Sequence, residues 1–244
     1  MKITTRKPLM MRLMSTTLIG GLVPSGTIQS DGSSIFILNK TLPSIMAWGE
    51  FKNAEIKGMG IAPVTITDTI LKNTKSIHSS DITLEKTNGS VLIEGSTANY
   101  SEQETISPQG DKEGDKIARP ELSTDIDAAE FDVEVSELKK LPTADKYTFD
   151  LGGVGAGDQN ILKVIVEDIG KLEIKLDMQN TKKRHFFGKK SFSGDMVEKI
   201  ISQLGGDFAT IKITDKWISF SSTDQYADVQ FILASLVDTG DVIV

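Results

Sequence analysis

The sequence predicts an α+β protein of two similar domains, each with helices lining one face of an antiparallel β-sheet. Three observations lead to this prediction. Short strands joined by tight turns dominate the chain, helices with an apolar stripe occur in both halves, and a polar stretch separates the halves. Each half has the order helix, strands, helix, strands, although the two halves do not resemble each other residue by residue.

In the first half, apolar residues at helical spacing predict a helix over residues 7–20, which Gly20 and Gly21 end. A second helix is predicted over 65–77, with Thr67 or Asp68 as its cap. Hairpin signals at Asp31-Gly32 and Asn88-Gly89 join the strands around these helices. The predicted strands cover 25–31, 33–39, 44–48, 54–61, 81–87 and 90–97.

The second half begins after a polar stretch at 101–124, which has turn-forming residues and few apolar ones. We predict a first domain over 1–105, a connector over 106–130 and a second domain over 131–244. Ser136 is predicted to cap a short helix at 136–141, and a fourth helix opens the stretch Ser191–Asp238 before three more strands. The remaining predicted strands cover 131–135, 146–151, 160–169 and 171–178.

The composition excludes several kinds of site. The chain has 244 residues with no cysteine and two histidines, so disulfides, zinc ribbons and thiol catalysis are excluded. We predict no enzymatic activity, no catalytic residue, no metal and no cofactor. No apolar run is long enough for a membrane span, and the basic N-terminal stretch indicates an amphipathic helix rather than a signal peptide. The net charge of −7 by itself argues against nucleic-acid binding.

Three stretches near the end of the chain are SFSGDMVEKIISQL, ATIKITDKWISFSS and ADVQFILASL. Together they resemble the last third of the DNA sliding clamps, which include the proliferating-cell nuclear antigen family and related clamps of archaea and large phages. The segment ITDTILKNTKSIHSSDITLEKTNGSVLIEG resembles part of the family's first domain, and ELSTDIDAAEFDVEVSELKK resembles its interdomain connector. The chain departs from the family in two places: it leaves little room for a strand before the first helix, and Ser235 stands where many members have proline.

The resemblance implies a DNA polymerase processivity factor, a homotrimeric ring that encircles duplex DNA without regard to sequence and tethers replication proteins. A DNA polymerase and a clamp loader are the implied partners. The location would be intracellular, in the cytoplasm or at the nucleoid or replication site, and the gene could belong to a virus or phage. A β-rich structural or virion assembly protein without DNA binding is the alternative.

A sliding ring needs weak, sequence-independent phosphate contacts on the helices that face its hole. The predicted helices carry seven basic and four acidic residues, which reverses the ratio of 27 to 34 in the whole chain. Ordinary solvated helix faces are the alternative. The run 182–184, with Lys189 and Lys190, would either contact phosphates or protect a strand edge. The predicted DNA-binding residues are Lys7, Arg12, Lys72, Lys75, Lys139, Lys140 and Lys199.

The resemblance also implies a shallow apolar pocket for short partner peptides. Leu122 and Ile126 of the connector would form it with Ile232, Leu233 and Ala234 of the last strand. The alternative for 231–233 is an ordinary core strand, which buries one of its faces. Ring closure would use sheet edges, and the strands at 171–178 and 90–97 are the candidates.

Overall fold

The chain divides into two compact units in the computed structural model. Unit 1 comprises Met1–Glu121 and Asp224–Val229, and unit 2 comprises Leu122–Thr223 and Gln230–Val244. The division falls inside the predicted connector. The structure describes residues 2–52, 55–57, 64–87, 90–95, 102–105, 117–120, 122, 127–152, 161–167, 170–184 and 188–236.

Within its described residues, unit 1 has two α-helices, α1 (Lys7–Thr17) and α2 (Asp68–Ser76), and a short 3-10 turn at Ile19–Gly21. Its strands are β1 (Lys2–Arg6), β2 (Ser25–Ser30), β3 (Ile35–Leu42), β4 (Ile45–Phe51), β5 (Glu55–Lys57), β6 (Val64–Thr67), β7 (Asp81–Thr87), β8 (Ser90–Gly95) and β9 (Glu102–Thr105).

Unit 2 has helices α3 (Val135–Leu138) and α4 (Gly194–Gln203). The first residues of its last strand group with unit 1. The strands are β10 (Ala129–Glu134), β11 (Lys146–Asp150), β12 (Ile161–Glu167), β13 (Lys171–Asp177), β14 (Gln179–Arg184), β15 (Lys189–Ser193), β16 (Phe208–Ile213), β17 (Trp217–Thr223) and β18 (Ala227–Ala234).

The two units repeat one topology. In unit 1, neighbouring strands run β5-β1-β7-β8-β9 and β4-β3-β2-β6; in unit 2, they run β14-β10-β16-β17-β18 and β13-β12-β11-β15. Each strand of unit 1 has a counterpart in unit 2 that lies nine strands later in the chain and has the same position in the pairing order. The predicted repetition of helix, strands, helix, strands is therefore confirmed in the backbone pairing, and the α+β fold class with it.

Backbone hydrogen bonds repeat as well. The first residue of α1, Lys7, donates its N–H to Ser80 O at 2.8 Å, and the first residue of α3, Val135, donates to Asp207 O at 2.9 Å. Each acceptor directly precedes a strand, β7 in unit 1 and β16 in unit 2. The first helix is therefore tied in the same way to the hairpin that follows the second helix.

Alternating apolar residues build the cores. Leu162, Val164 and Val166 of β12 are buried, and the residues between them are partly exposed. Helix α4 buries Val197, Ile200 and Ile201, which recur at three- and four-residue spacing. At roughly 25 cal/mol per Å² of apolar surface, each such side chain contributes about 1.5–3 kcal/mol relative to exposure.

Several predicted boundaries and elements are wrong. A first strand, β1, does precede the first helix. Helix α2 begins after strand β6, and Thr67 is its cap, with its hydroxyl accepting from Ile70 N at 3.3 Å. Helix α3 ends at Leu138 and has Glu134, not Ser136, as N-cap residue. The polar stretch predicted as linker contains β9.

The predicted sheet edges are half right. Strand β13 lies at the edge of its sheet among the described residues, as predicted for 171–178. Strand β8 does not, because β9 pairs with it over Ser90–Ile93. The basic run 182–184 lies in β14, which pairs only with β10 among the described strands, as the strand-edge interpretation requires. Asn88-Gly89 lies outside the described residues.

Candidate nucleic-acid interface

Helices α1, α2 and α4 carry five of the seven predicted DNA-binding residues. Lys139 and Lys140 instead follow α3 in a turn, in which their N–H groups donate to Val135 O and Glu137 O. All seven side chains lie within the described residues, and the structure divides them into three groups by what their charged ends contact.

The first group caps helices. Lys7 Nζ donates to Lys75 O at 2.8 Å and to Ile77 O at 2.5 Å, at the C-terminal end of α2. Lys139 Nζ donates to Leu204 O at 2.9 Å, at the same end of α4. The last carbonyls of a helix lack intrahelical partners and carry partial negative charge, so an ammonium there is stabilising. Both lysines therefore have a structural role in the free protein.

The second group forms ion pairs. Arg12 Nη2 lies 2.6 Å from Asp224 Oδ2, and both side chains are mostly buried. Lys72 pairs with Asp68 at 2.5 Å, across one turn of α2, and Lys140 pairs at 2.6 Å with Glu137 of α3; both pairs are largely exposed. The hydrogen bond to Glu137 raises the pKa of Lys140 above its ordinary value. Solvent screens exposed pairs of this kind, so the two ammonium groups are held weakly.

The third group comprises Lys75 and Lys199, whose ammonium groups have no partner among the residues that the structure describes. Lys75 is exposed and Lys199 is partly exposed. Lys199 lies as far before Leu204, the C-cap of α4, as Lys72 lies before Ile77, the C-cap of α2. The two lysines therefore have equivalent positions in their helices, and the one cation of α4 repeats the position of a cation in α2.

The basic run near β14 is partly neutralised. Lys182 lies 3.4 Å from Glu130, and Lys189 lies 3.2 Å from Asp150. These pairs join strand neighbours, which fits a charged strand edge. Lys190 is partly exposed. The side chains of residues 183 and 184 lie outside what the structure describes.

The predicted partner residues differ in exposure. Leu122 and Ile232 are partly exposed, Ala234 is exposed, and Leu233 is 1% exposed. Alternation along β18 explains the difference between neighbours, since Phe231 and Leu233 point to the core. Leu233 therefore fits the core-strand alternative, and Ile232 and Ala234 are the apolar side chains that β18 leaves accessible. Ile126 lies outside the described residues.

Sequence reasoning missed Arg119, the basic residue of the connector with described contacts. Its guanidinium carbon lies 5.2 Å from the centroid of the Trp48 ring, and Nη1 lies 3.1 Å from Asp228 Oδ2. The sequence offered one signal, a lone arginine before Pro120 in a polar stretch. Its partners lie 71 and 109 residues away along the chain, so only the fold reveals them.

The described residues contain no cluster of three or more His, Asp or Glu side chains arranged to hold a metal ion. In the same part of the chain, no helix has the length and apolarity that a membrane crossing requires.

Solved structures share the architecture of the chain. It matches a chain of the structure of the C-terminal region of FEN-1 bound to A. fulgidus PCNA, with a TM-score of 0.71, 13% identity, and coverage of 98% of this chain and 99% of that chain. PCNA from Entamoeba histolytica matches with a TM-score of 0.68, 13% identity, and coverage of 96% and 98%. The chain has the sliding-clamp fold.

A bacterial clamp subunit matches over part of its length. The β subunit of DNA polymerase III from Thermotoga maritima gives a TM-score of 0.70 at 14% identity; the match covers 98% of this chain and 65% of that chain. No family model and no curated protein sequence matches the chain. The likeness to these clamps is therefore one of fold, at sequence identities too low to transfer residue roles.

Proposed function

We propose that the protein is a DNA polymerase processivity factor, a ring-shaped sliding clamp that encircles duplex DNA and tethers replication proteins. The observation that carries the proposal is the repeated clamp unit, whose pairing order occurs twice in a chain that matches PCNA over nearly the full length of both. The tethered proteins would be a DNA polymerase and a clamp loader. The site of action would be intracellular, at replicating DNA, and the gene could be viral.

The ring would be a homotrimer, which places six copies of the repeated unit around one hole. Strands β9 and β13 lie at sheet edges among the described strands, and they have different positions in the repeat. A contact from β13 of one subunit to β9 of the next is head-to-tail, and such contacts form a ring when the rotation closes. Strand β13 exposes 53% of Leu172, an apolar side chain suited to burial in such a contact.

Light scattering tests the assembly. The wild-type protein should have three times the 26.5 kDa mass of the chain. Leu172→Asp places a charge in the proposed contact and should shift the mass toward 26.5 kDa. Lys52→Asp, at an exposed position that follows β4, serves as the control and should leave the trimer intact. A wild-type monomer at every concentration would contradict the ring.

DNA contacts would come first from Lys75 and Lys199, whose charges are not neutralised within the described protein, and then from the weakly paired Lys72 and Lys140. Each phosphate neutralised adds about 0.9 to the slope of log affinity against log salt concentration. Lys7, Arg12 and Lys139 stay predicted DNA contacts, but each would give up a bond in its own unit to reach a phosphate.

The double variant Lys75→Glu/Lys199→Glu should weaken binding to duplex DNA at least tenfold and flatten the salt dependence. Lys52→Glu/Lys216→Glu is the matched control, because it makes the same charge change at exposed lysines outside the helices, one in each unit. Equal losses in the two double variants would mean that only net charge matters. A trimer with no measurable affinity for duplex DNA in the wild type would favour the alternative, an assembly protein without DNA binding.

The partner surface would combine Leu122 and Ile126 of the connector with Ile232, Leu233 and Ala234. Ile232 and Ala234 are accessible on β18, and Leu122 is partly exposed. Substitution of Ile232 by Asp should weaken binding of a polymerase peptide without changing the mass of the ring.

A further inference from the structure

Ile117 and Arg119 of the connector contact other residues of unit 1. Ile117 N–H donates to Gln29 Oε1 at 2.8 Å, and this glutamine is 2% exposed. The Arg119 guanidinium lies over the face of Trp48 at 5.2 Å and pairs with Asp228 at 3.1 Å. All three acceptor groups belong to unit 1. The described piece of connector is thus bound through the Ile117 N–H and the Arg119 side chain.

Trp48 is the buried part of this arrangement. Its side chain is 4% exposed, and its indole N–H has no hydrogen-bond partner among the described residues. A buried N–H without a partner is unfavourable, because water would otherwise satisfy it. The Arg119 side chain, by contrast, is 47% exposed, so the charge that covers the ring stays in contact with solvent. The Trp48 ring is thus buried with an unbonded N–H, and solvent reaches the Arg119 cation that covers it. This combination favours a contact between Arg119 and Trp48 that opens without unfolding of the core.

We propose that Arg119 is an electrostatic latch that holds residues 117–120 on the rest of unit 1 and shields Trp48, and that its release frees these residues while both units stay folded. The guanidinium supplies both attractions: a planar cation stacks on an indole, and a fork of donors reaches a carboxylate. Because the latch lies in an exposed position, salt weakens the ion pair with Asp228. The mobility of residues 117–120 would then depend on ionic strength. This inference does not depend on whether the chain encircles DNA.

Two measurements on the full chain test the latch. Hydrogen exchange at the Ile117 amide reports the connector, because that N–H is bonded to Gln29. Acrylamide quenching of Trp48 fluorescence, in a Trp217→Phe background that leaves one tryptophan, reports the ring. In Arg119→Gln, Ile117 exchange should rise at least tenfold and Trp48 quenching at least twofold, with the thermal midpoint of the core nearly unchanged. Lys52→Gln, a charge loss at an exposed position near Trp48, should change neither reading.

A conservative variant separates the latch from general stability. Arg119→Lys keeps the charge but loses the planar stack, so it should recover part of the Ile117 protection. Asp228→Asn should raise exchange by less than Arg119→Gln, because the stack on Trp48 remains. Exchange and quenching in Arg119→Gln within twofold of the parent protein would overturn the proposal. So would an increase that appears only together with a lower thermal midpoint.

Discussion

The two units have the same strand pairing but different first helices. Helix α1 runs for 11 residues, and α3 runs for four. Both nevertheless place a lysine ammonium on the carbonyls that end the second helix, from the first residue of α1 and from the residue after α3. The shared contact shows that the sheets and the packing between helices are the constant part of the repeat. The length of the first helix is free to vary as long as one cation reaches that position.

The units also differ where the second helix begins. In unit 1, Thr67 caps α2 through its hydroxyl. In unit 2, Gly194 begins α4 and donates its N–H to Asp145 O at 2.8 Å. A Cβ at Gly194 would lie 1.6 Å from Ala144 O, so the glycine is required by close backbone approach. One unit uses a side-chain cap where the other uses tight backbone contact.

The largest effect we predict is at this junction. Gly194→Ala should destabilise the protein by about 3 kcal/mol, because backbone must move to admit the methyl group. Denaturant unfolding measures the loss. Gly170→Ala is the control: its added Cβ meets nothing within 4 Å, so it should stay within about 0.5 kcal/mol of wild type. Similar values for both variants would contradict the contact at Ala144.

Substitution of the lysines that cap helices should have a smaller effect on stability, and one that differs between the two units. Lys7→Met should cost about 1–2 kcal/mol and Lys139→Met about 0.5–1 kcal/mol, since the first loses two bonds and the second one. Thermal unfolding measures both. Lys72→Met, which loses an exposed pair, should cost less than either. If Lys7→Met lowered DNA affinity without lowering stability, its capping role would be wrong.

The ion pair of Arg12 and Asp224 predicts a pH dependence. Burial raises the pKa of Asp224, but the hydrogen bonds from Arg12 and from the N–H groups of Tyr226 and Ala227 outweigh it, so the pKa lies below 3.8. A lowered folded-state pKa gives stability that is present at neutral pH and is lost as pH falls through it. Arg12→Gln should therefore cost about 1–2 kcal/mol at pH 7. Its difference from wild type should shrink below about pH 4. A pH-independent difference would exclude this origin.

Periodicity predicted the elements that bury apolar residues. Helices α2 and α4 and the hairpins at β7–β8 and β16–β17 follow from spacing and turn residues. Two of the strands that sequence reasoning missed, β9 (EQET) and β14 (QNTKKR), are polar, whereas the missed strand β6 (VTIT) alternates but overlaps the helix predicted over 65–77. Polar strands of this kind are held by backbone pairing with a neighbouring strand, so their sequences have no apolar pattern from which to predict them.

The candidate site was predictable in composition but not in detail. Basic residues on helices could be counted from the sequence, and the resemblance to clamps is confirmed at the level of the fold. Which charges are neutralised could not be predicted. Lys7 binds carbonyls about 70 residues away, and Arg12 pairs with a turn at the other end of the chain. Pairs within one helical turn, such as Lys72 with Asp68, are the exception, because helical spacing places them together.

Threading onto DNA tests the central claim most directly, and it needs no loader. A linear duplex is incubated with the protein at micromolar concentration, and both ends are then blocked with streptavidin before a wash at high salt. A ring that holds DNA by topology should stay on this DNA, but should not load when the ends are blocked first. Retention that is the same for both orders of addition, or complete loss in the high-salt wash whichever order is used, would contradict encirclement.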